Sequence, residues 1–422
     1  MTSILRVSSP AEILALIPYQ LGFQPDDSFV VVALTGAQHR VGFTARCDLD
    51  RAAEGALDDI AFTLRRDRAQ AIFPVVYLRA DTASTLFDLS ANDAQVISGL
   101  LHQAHQVLGQ WWDEHALWVV TPDGAARWCA LASQGHDSCD SNRRRSTPVI
   151  TTEDLMSTQV AASMVMAGHS FVSSRSQLCG GENVDPLSLH DIDQRVEAED
   201  RHWEAARSCW EVTSLRVRAG RTARMLVAKT HTVLDHGECI PSGACVAHLT
   251  PARLEQQFPA EAAVVLSALQ DHCVRDALLV ALTPLGTAAM IAYLEDHGCA
   301  DGGCLGSTMC AAWPVREELA QEALGFLLDP RKGTRPHSCH YRTVRVVMET
   351  LNASAPARSQ PALASLLALC AWWEGRGPQA TAYLEKVAEI DGSYTLAHLV
   401  RTALRSGLAP AWARNPQHEA MN

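Results

Sequence analysis

Lysine is nearly absent: Lys229, Lys332 and Lys386 are the only three in 422 residues, and the other 32 of the 35 basic side chains are arginine, the bias of a GC-rich genome. A surplus of positive charge is also lacking. With 47 acidic residues the formal net charge is −12, which argues against a nucleic-acid partner, because such domains are usually basic overall. No apolar run approaches the roughly twenty residues that a spanning helix needs, so no membrane partner is expected. The opening MTSILRVSSPAEILALIPYQ has no basic n-region, no long apolar core and no A-x-A site, and the expected location is the cytoplasm.

Motifs that carry chemistry are missing as well. The chain has no G-x-S-x-G, no H-E-x-x-H, no G-x-x-x-x-G-K-[ST] and no G-x-G-x-x-G after a strand. Each of these would place a nucleophile, a metal pair or a phosphate cradle. GGCLG falls between helical windows, without the strand, turn and helix that phosphate binding needs. The sequence therefore leans away from an enzyme, and no cofactor is expected.

What is present is a well-buried globular composition, 47% hydrophobic. At 422 residues the chain exceeds the roughly 250–300 residues at which single cores stop growing, so more than one domain is expected. PAEILALIPYQL reads as a helix opened by Ser9 as N-cap and Pro10 at the first turn. SFVVVALTGAQHRVGFTARCDL reads as a hairpin turning at Thr35 to Gln38. A helix (RAAEGALDDIAFTLRRDR), a strand (AIFPVVYL), a helix (SANDAQVISGLLHQAHQVLGQWW) and a strand (ALWVVTP) follow, and ARWCALAS closes a second hairpin after Asp123 and Gly124.

Strands alternating with helices predict an α/β N-terminal domain over 1–185, a mixed sheet with flanking helices. From about residue 188 the β-branched runs give way to Ala/Leu/Arg/Glu windows, and 186–422 is predicted to be all-α. One continuous helix is expected over 272–296. The stretch 361–406 has the rhythm of a tetratricopeptide-like helical hairpin, too short for a free-standing array, which needs about three repeats or more.

The residues SSPAEILALIPYQLGFQPDDSFVVVAL, with Arg46 and Asp48 of TARCDL, resemble the N-terminus of an actinobacterial family catalogued as domain of unknown function 4192. ARW at 126–128, AASMVMAGHSFVSSRSQL, VRDALL at 274–279, CAWWEGRG and SYTLAHLVRTALRSGLAP extend the resemblance along nearly the whole chain. It implies a high-GC Gram-positive host and brings no activity to transfer. Family members tend to carry a cysteine pair followed by Pro-Gly after the tryptophan-bearing strand, where this chain has the separated Cys129 and Cys139.

Asp26 and Asp27 open an apolar strand, with Ser28, Arg46 and Asp48 converging from the hairpin, and two readings follow. Paired carboxylates can hold a divalent ion or split their pKa values. Pro25-Asp26-Asp27-Ser28 is also turn chemistry, in which aspartate bonds local amides, and this second reading leads. Cys239, Cys245, His248, Cys299 and Cys304 are weak metal candidates, because their spacings are loose beside a tight zinc knuckle; buried or free thiols are preferred. His337, Cys339 and His340 are weaker still. Arg143 to Arg145, and Arg216, Arg218, Arg221 and Arg224, could grip phosphates, but neighbouring carboxylates such as Glu199 make ion pairs the leading explanation.

The leading functional expectation is a non-catalytic protein-interaction or self-assembling protein, a homo-oligomer or the binder of another protein, with Trp372, Trp373 and Tyr383 shared between core and interface. The alternative is a small-molecule or nucleotide-binding enzyme with its site at the carboxyl edge of the N-terminal sheet, where open α/β folds bind ligands.

Overall fold

The computed structural model describes residue 7 and residues 9–36, 39–49, 55–79, 89–112, 116–128, 149–166, 170–179, 186–235, 257–296 and 314–414. The chain divides into two compact units, Met1–Arg175 and Ser176–Asn422. The expected boundary at 185 falls ten residues later (185 − 175). Cys179 accounts for the difference, because it is buried in the helical core, and the Leu178 carbonyl beside it accepts a hydrogen bond from Gln379 Nε2 at 3.1 Å.

In the first unit, helix α1 (Pro10–Leu21) starts as expected: Ser9 Oγ accepts from Glu12 N, and Gly22 caps the other end in the left-handed region at φ 81°. Strands β1 (Ser28–Thr35) and β2 (Arg40–Asp48) form the antiparallel hairpin. Helix α2 (Ala56–Arg66), strand β3 (Ala69–Tyr77), helix α3 (Ala91–Leu108), and strands β4 (Trp118–Thr121), β5 (Gly124–Arg127) and β6 (Ile150–Thr151) follow. Short helices α4 (Thr152–Met156) and α5 (Gln159–Met166), absent from the sequence reading, come next. The sheet runs β2-β1-β3-β4-β5-β6, with β3 and β4 parallel and the other neighbours antiparallel.

Pro74 sits inside β3, where a missing N–H would normally break a ladder. The amides of Ile72 and Leu78 donate to Trp111 O and Val120 O, away from β1. Alternation points the Pro74 nitrogen to the same side, and pairing with β4 begins only at Val75. No ladder bond is lost. Phe29, Val31, Ile72, Val76 and Val119 share a core with Leu57, Ile60 and Leu64 of α2 and Ile97 and Leu100 of α3. The alternate residues Val30, Val75, Tyr77 and Val120 face the opposite side, where α1 packs with α4 and α5. Both faces are thus covered, which is why β1 and β3 read as continuous apolar runs.

The second unit is all helix among its described elements: α6 (Pro186–Ala205), α7 (Cys209–Asp235), α8 (Pro259–Ala268), α9 (His272–Leu282), α10 (Gly286–Glu295), α11 (Pro314–Leu328), α12 (Cys339–Ser354), α13 (Gln360–Trp373), α14 (Gly377–Ile390) and α15 (Thr395–Arg405). The single helix expected over 272–296 is two helices. Pro284 forbids the helical conformation at the residue before it, and Thr283 is accordingly extended, at ψ 171°. Helices α13 and α14 pack along one another with α15 across α13, and α13 is buried nearly all round against α12 and α9 as well.

Candidate functional site

Asp26 and Asp27 part company as soon as their partners are traced. Asp27 takes a left-handed conformation, φ 37°, at the mouth of β1. Its carboxylate receives the Arg79 amide at 3.1 Å and the Arg79 guanidinium at 2.7 Å, and its carbonyl accepts from Leu49 N at 3.0 Å. It ties the exits of β2 and β3 to the start of β1, a bond across the sheet rather than to the local amides that the turn reading expected. Asp26 is exposed, its backbone carbonyl accepting from Ser28 Oγ, and no side-chain partner for it occurs among the described residues.

The remaining three residues do converge. Arg46 Nε donates to Ser28 Oγ at 2.8 Å while its NH2 group meets Asp48 at 2.5 Å, and the guanidinium lies 5.8 Å from the centre of the buried Phe23 ring. Arg175 reaches Asp48 at 3.9 Å. Every charge in this group is answered, so it acts as a strut. Among the described residues no set of three His, Cys, Asp or Glu side chains is arranged to hold a metal ion. Cys239, Cys245, His248, Cys299 and Cys304, with Arg143 to Arg145, lie outside the described residues.

Register places one further residue in the same row. Ser28 stands opposite Asp48 on β2 and opposite Tyr77 on β3, and Tyr77 stands opposite Val120 on β4. Tyr77 and Val120 end the one parallel pair of strands, and there a cavity of about 360 Å³ opens. Its wall is built from Leu14, Pro18 and Tyr19 of α1, Leu155 and Met156 of α4, Ala161 of α5 and Phe171, with Asp26 at the rim. Tyr19 and Phe171 meet edge to face, centroids 4.9 Å apart. Phe171 is fixed by its neighbour Val172, which bridges Phe23 as an added parallel strand residue.

The turn that shapes the rim requires glycine. Gly124 has φ 154°, and a Cβ there would fall 2.4 Å from the Ile150 carbonyl oxygen, so only glycine lets β6 close on β5. β6 then leads into α4, whose Thr152 hydroxyl donates to Pro122 O at 2.8 Å, while Thr151 and Asp154 close a capping box.

Tyr77 is 3% exposed and its phenol finds no hydrogen-bond partner among the described residues. Burial raises its pKa, so it stays a neutral hydroxyl. The hydroxyl opens on the cavity and is not one of the fully enclosed polar atoms, so it carries no penalty of complete burial. Pro18, inside α1, has no N–H to offer the Leu14 carbonyl one turn back, and both residues line the cavity. The sequence reading missed this wall. The one available signal was position, an apolar strand ending in tyrosine at the carboxyl end of a parallel pair.

The aromatics expected at an interface lie inside the helical unit. Trp372, Trp373 and Tyr383 are each under 5% exposed. Trp372 Nε1 donates to Leu408 O at 2.8 Å, and the Trp373 carbonyl accepts from Trp412 Nε1 at 2.6 Å. An all-apolar helix is covered by its own chain here, through α12, α14, α15 and the segment after them. Charge in this unit is paired: Arg216 with Asp271 at 2.7 Å, Arg218 with Glu199 at 2.8 Å and Arg221 with Glu295 at 3.2 Å. His340 Nε2 donates to the Ala281 carbonyl at 2.9 Å. The deepest cluster joins Arg345, Glu374 and Glu349, with Tyr341 donating to Glu374 at 2.9 Å. Burial opposes the Arg345 charge, but Glu349 and Glu374 outweigh it.

Fold and site together define a mixed α/β unit holding a ligand-sized cavity, followed by a helical unit. The model of the family described as a domain of unknown function, DUF4192, matches residues 10–294 and 337–411, and the chain belongs to that family. Every residue lining the cavity lies within the first matched segment. No curated protein and no solved structure matches the chain. No helix among the described residues is long and apolar enough to cross a membrane.

Proposed function

We propose that the α/β unit binds a small organic molecule in the cavity at the carboxyl ends of β3 and β4. The observation that carries this reading is the Tyr77 phenol, buried against the cavity with no protein partner among the described residues. Pockets of roughly 300–1,000 Å³ with apolar walls and a few convergent polar groups are the usual form of ligand sites, and the strand ends of α/β sheets are their usual place. The apolar lining with its few polar groups supports a binding role. A fragment set screened by saturation-transfer NMR against the full chain tests it. Binders are expected that lose contact with an Ala161→Leu variant of unchanged circular dichroism; a screen with no such binder contradicts the reading.

A second reading keeps the tetratricopeptide-like stretch 361–406 within a helical unit that self-associates. It is favoured by Trp210, 68% exposed beside Val217 and Met225 on α7. Light scattering of the wild type and Trp210→Ala decides it: an oligomer dispersed by the substitution supports it, and a monomer in both removes it.

A further inference from the structure

We propose that the ligand of this cavity is a small organic amine, carried as a cation on an apolar or aromatic body; this rests on the binding reading above. The one charged side chain in the lining among the described residues is Asp26, and the Thr121 and Thr152 hydroxyls already donate to Asp123 and to the Pro122 carbonyl. The Asp26 carboxylate at the rim has no partner among the described residues, whereas its neighbour Asp27 is held by Arg79. The Tyr77 oxygen accepts as readily as its proton is given.

No lysine, arginine or histidine lines the cavity among the described residues. A phosphate or carboxylate entering it would lose its hydration without gaining a counter-charge, and would meet Asp26 as a like charge. The nucleotide half of the sequence-based alternative is therefore disfavoured at this site. An ammonium has the opposite balance: N–H donors for the Asp26 carboxylate and the Tyr77 oxygen, and the aromatic wall of Tyr19 and Phe171 for its body. The volume of about 360 Å³ limits the ligand to the small end of the range seen for such sites.

Three probes of one shape and different charge separate the possibilities: 2-phenylethylamine, 2-phenylethanol and phenylacetate, titrated into the full chain by calorimetry and ligand-observed NMR. The amine is expected to bind about tenfold more tightly than the alcohol, the scale of one charge-assisted hydrogen bond, and the acid most weakly. Asp26→Asn, at an exposed position, should keep the fold and shrink the amine preference about three- to tenfold. Equal affinity for all three probes, tighter binding of the acid, or an amine preference unchanged in Asp26→Asn overturns the amine assignment and leaves the cavity reading standing. Failure of all three probes while other fragments bind and are lost in Ala161→Leu does the same. Failure of the probes together with an empty fragment screen overturns both.

Discussion

Two tyrosines, one in each unit, are buried to almost the same degree and are used in opposite ways. Tyr341 in the helical unit gives its proton to Glu374 at 2.9 Å and sets its ring edge-on to Trp373, 5.5 Å between centroids. Tyr77 in the α/β unit has a hydroxyl with no partner among the described residues and a cavity beside it. Burial alone therefore says little about role. A polar group whose bonds are closed within the chain belongs to the architecture, while one left open against empty space is available to something else. Trp373 Nε1 and Ser365 Oγ are fully enclosed without partners among the described residues, in the packed core of the helical unit, whereas the Tyr77 hydroxyl opens on a cavity.

The largest effect is expected where bonds are closed and charged. Glu374→Ala leaves the buried Arg345 with Glu349 alone and Tyr341 without its acceptor, and should cost about 3 kcal/mol in denaturant unfolding. A loss below about 1 kcal/mol would mean that the cluster is solvated and would blur the contrast between the units. Trp373→Ala removes a ring packed against Tyr341 and should cost a similar amount, about 3 kcal/mol. The sharper question for Trp373 is order of events. Because the ring is 2% exposed, unfolding should shift before any change in oligomeric state seen by light scattering, and the reverse order would restore this side chain to an interface.

A smaller effect belongs to the rim of the cavity. Hydrogen bonds from the Thr151 side chain and backbone hold the Asp154 carboxyl below its ordinary pKa. A carboxylate with a depressed folded pKa stabilises α4 fully above the unfolded value, about 3.9, and that contribution fades as pH falls through the lower folded value. Hydrogen exchange at the α4 amides should accordingly stay flat, after correction for intrinsic rates, above about pH 5 and lose protection below it. Asp154→Asn should remove the acid step, and an unchanged step would assign it to another carboxyl.

Much of this was legible in the sequence because local rules governed it. Ser9 and Pro10 signal a helix start through the cap they form, and Asp123-Gly124 signals a turn whose geometry only glycine permits. Turn chemistry predicted local amides for Asp27, whereas its carboxylate bonds the distant Arg79, a partner that only the sheet brings near. What stayed hidden depends on register and packing. Tyr77 joins Ser28 and Asp48 only because β1 pairs with β3 in one particular alignment, and no periodicity in a single strand encodes that. Helices α4 and α5, five and eight residues long, are too short to show an amphipathic period. Trp372 and Trp373 looked like interface because an apolar helix needs cover, and the sequence does not say whose.

Denaturant unfolding of Tyr77→Phe beside Tyr341→Phe tests the contrast most directly. Tyr341→Phe should lose about 1.5–3 kcal/mol, the worth of a hydrogen bond to a charged group. Tyr77→Phe should change stability by less than about 0.5 kcal/mol, because no bond among the described residues is broken. Equal losses at the two positions would mean that the Tyr77 hydroxyl is bonded within its own fold, and the cavity would lose the group that marks it as a site.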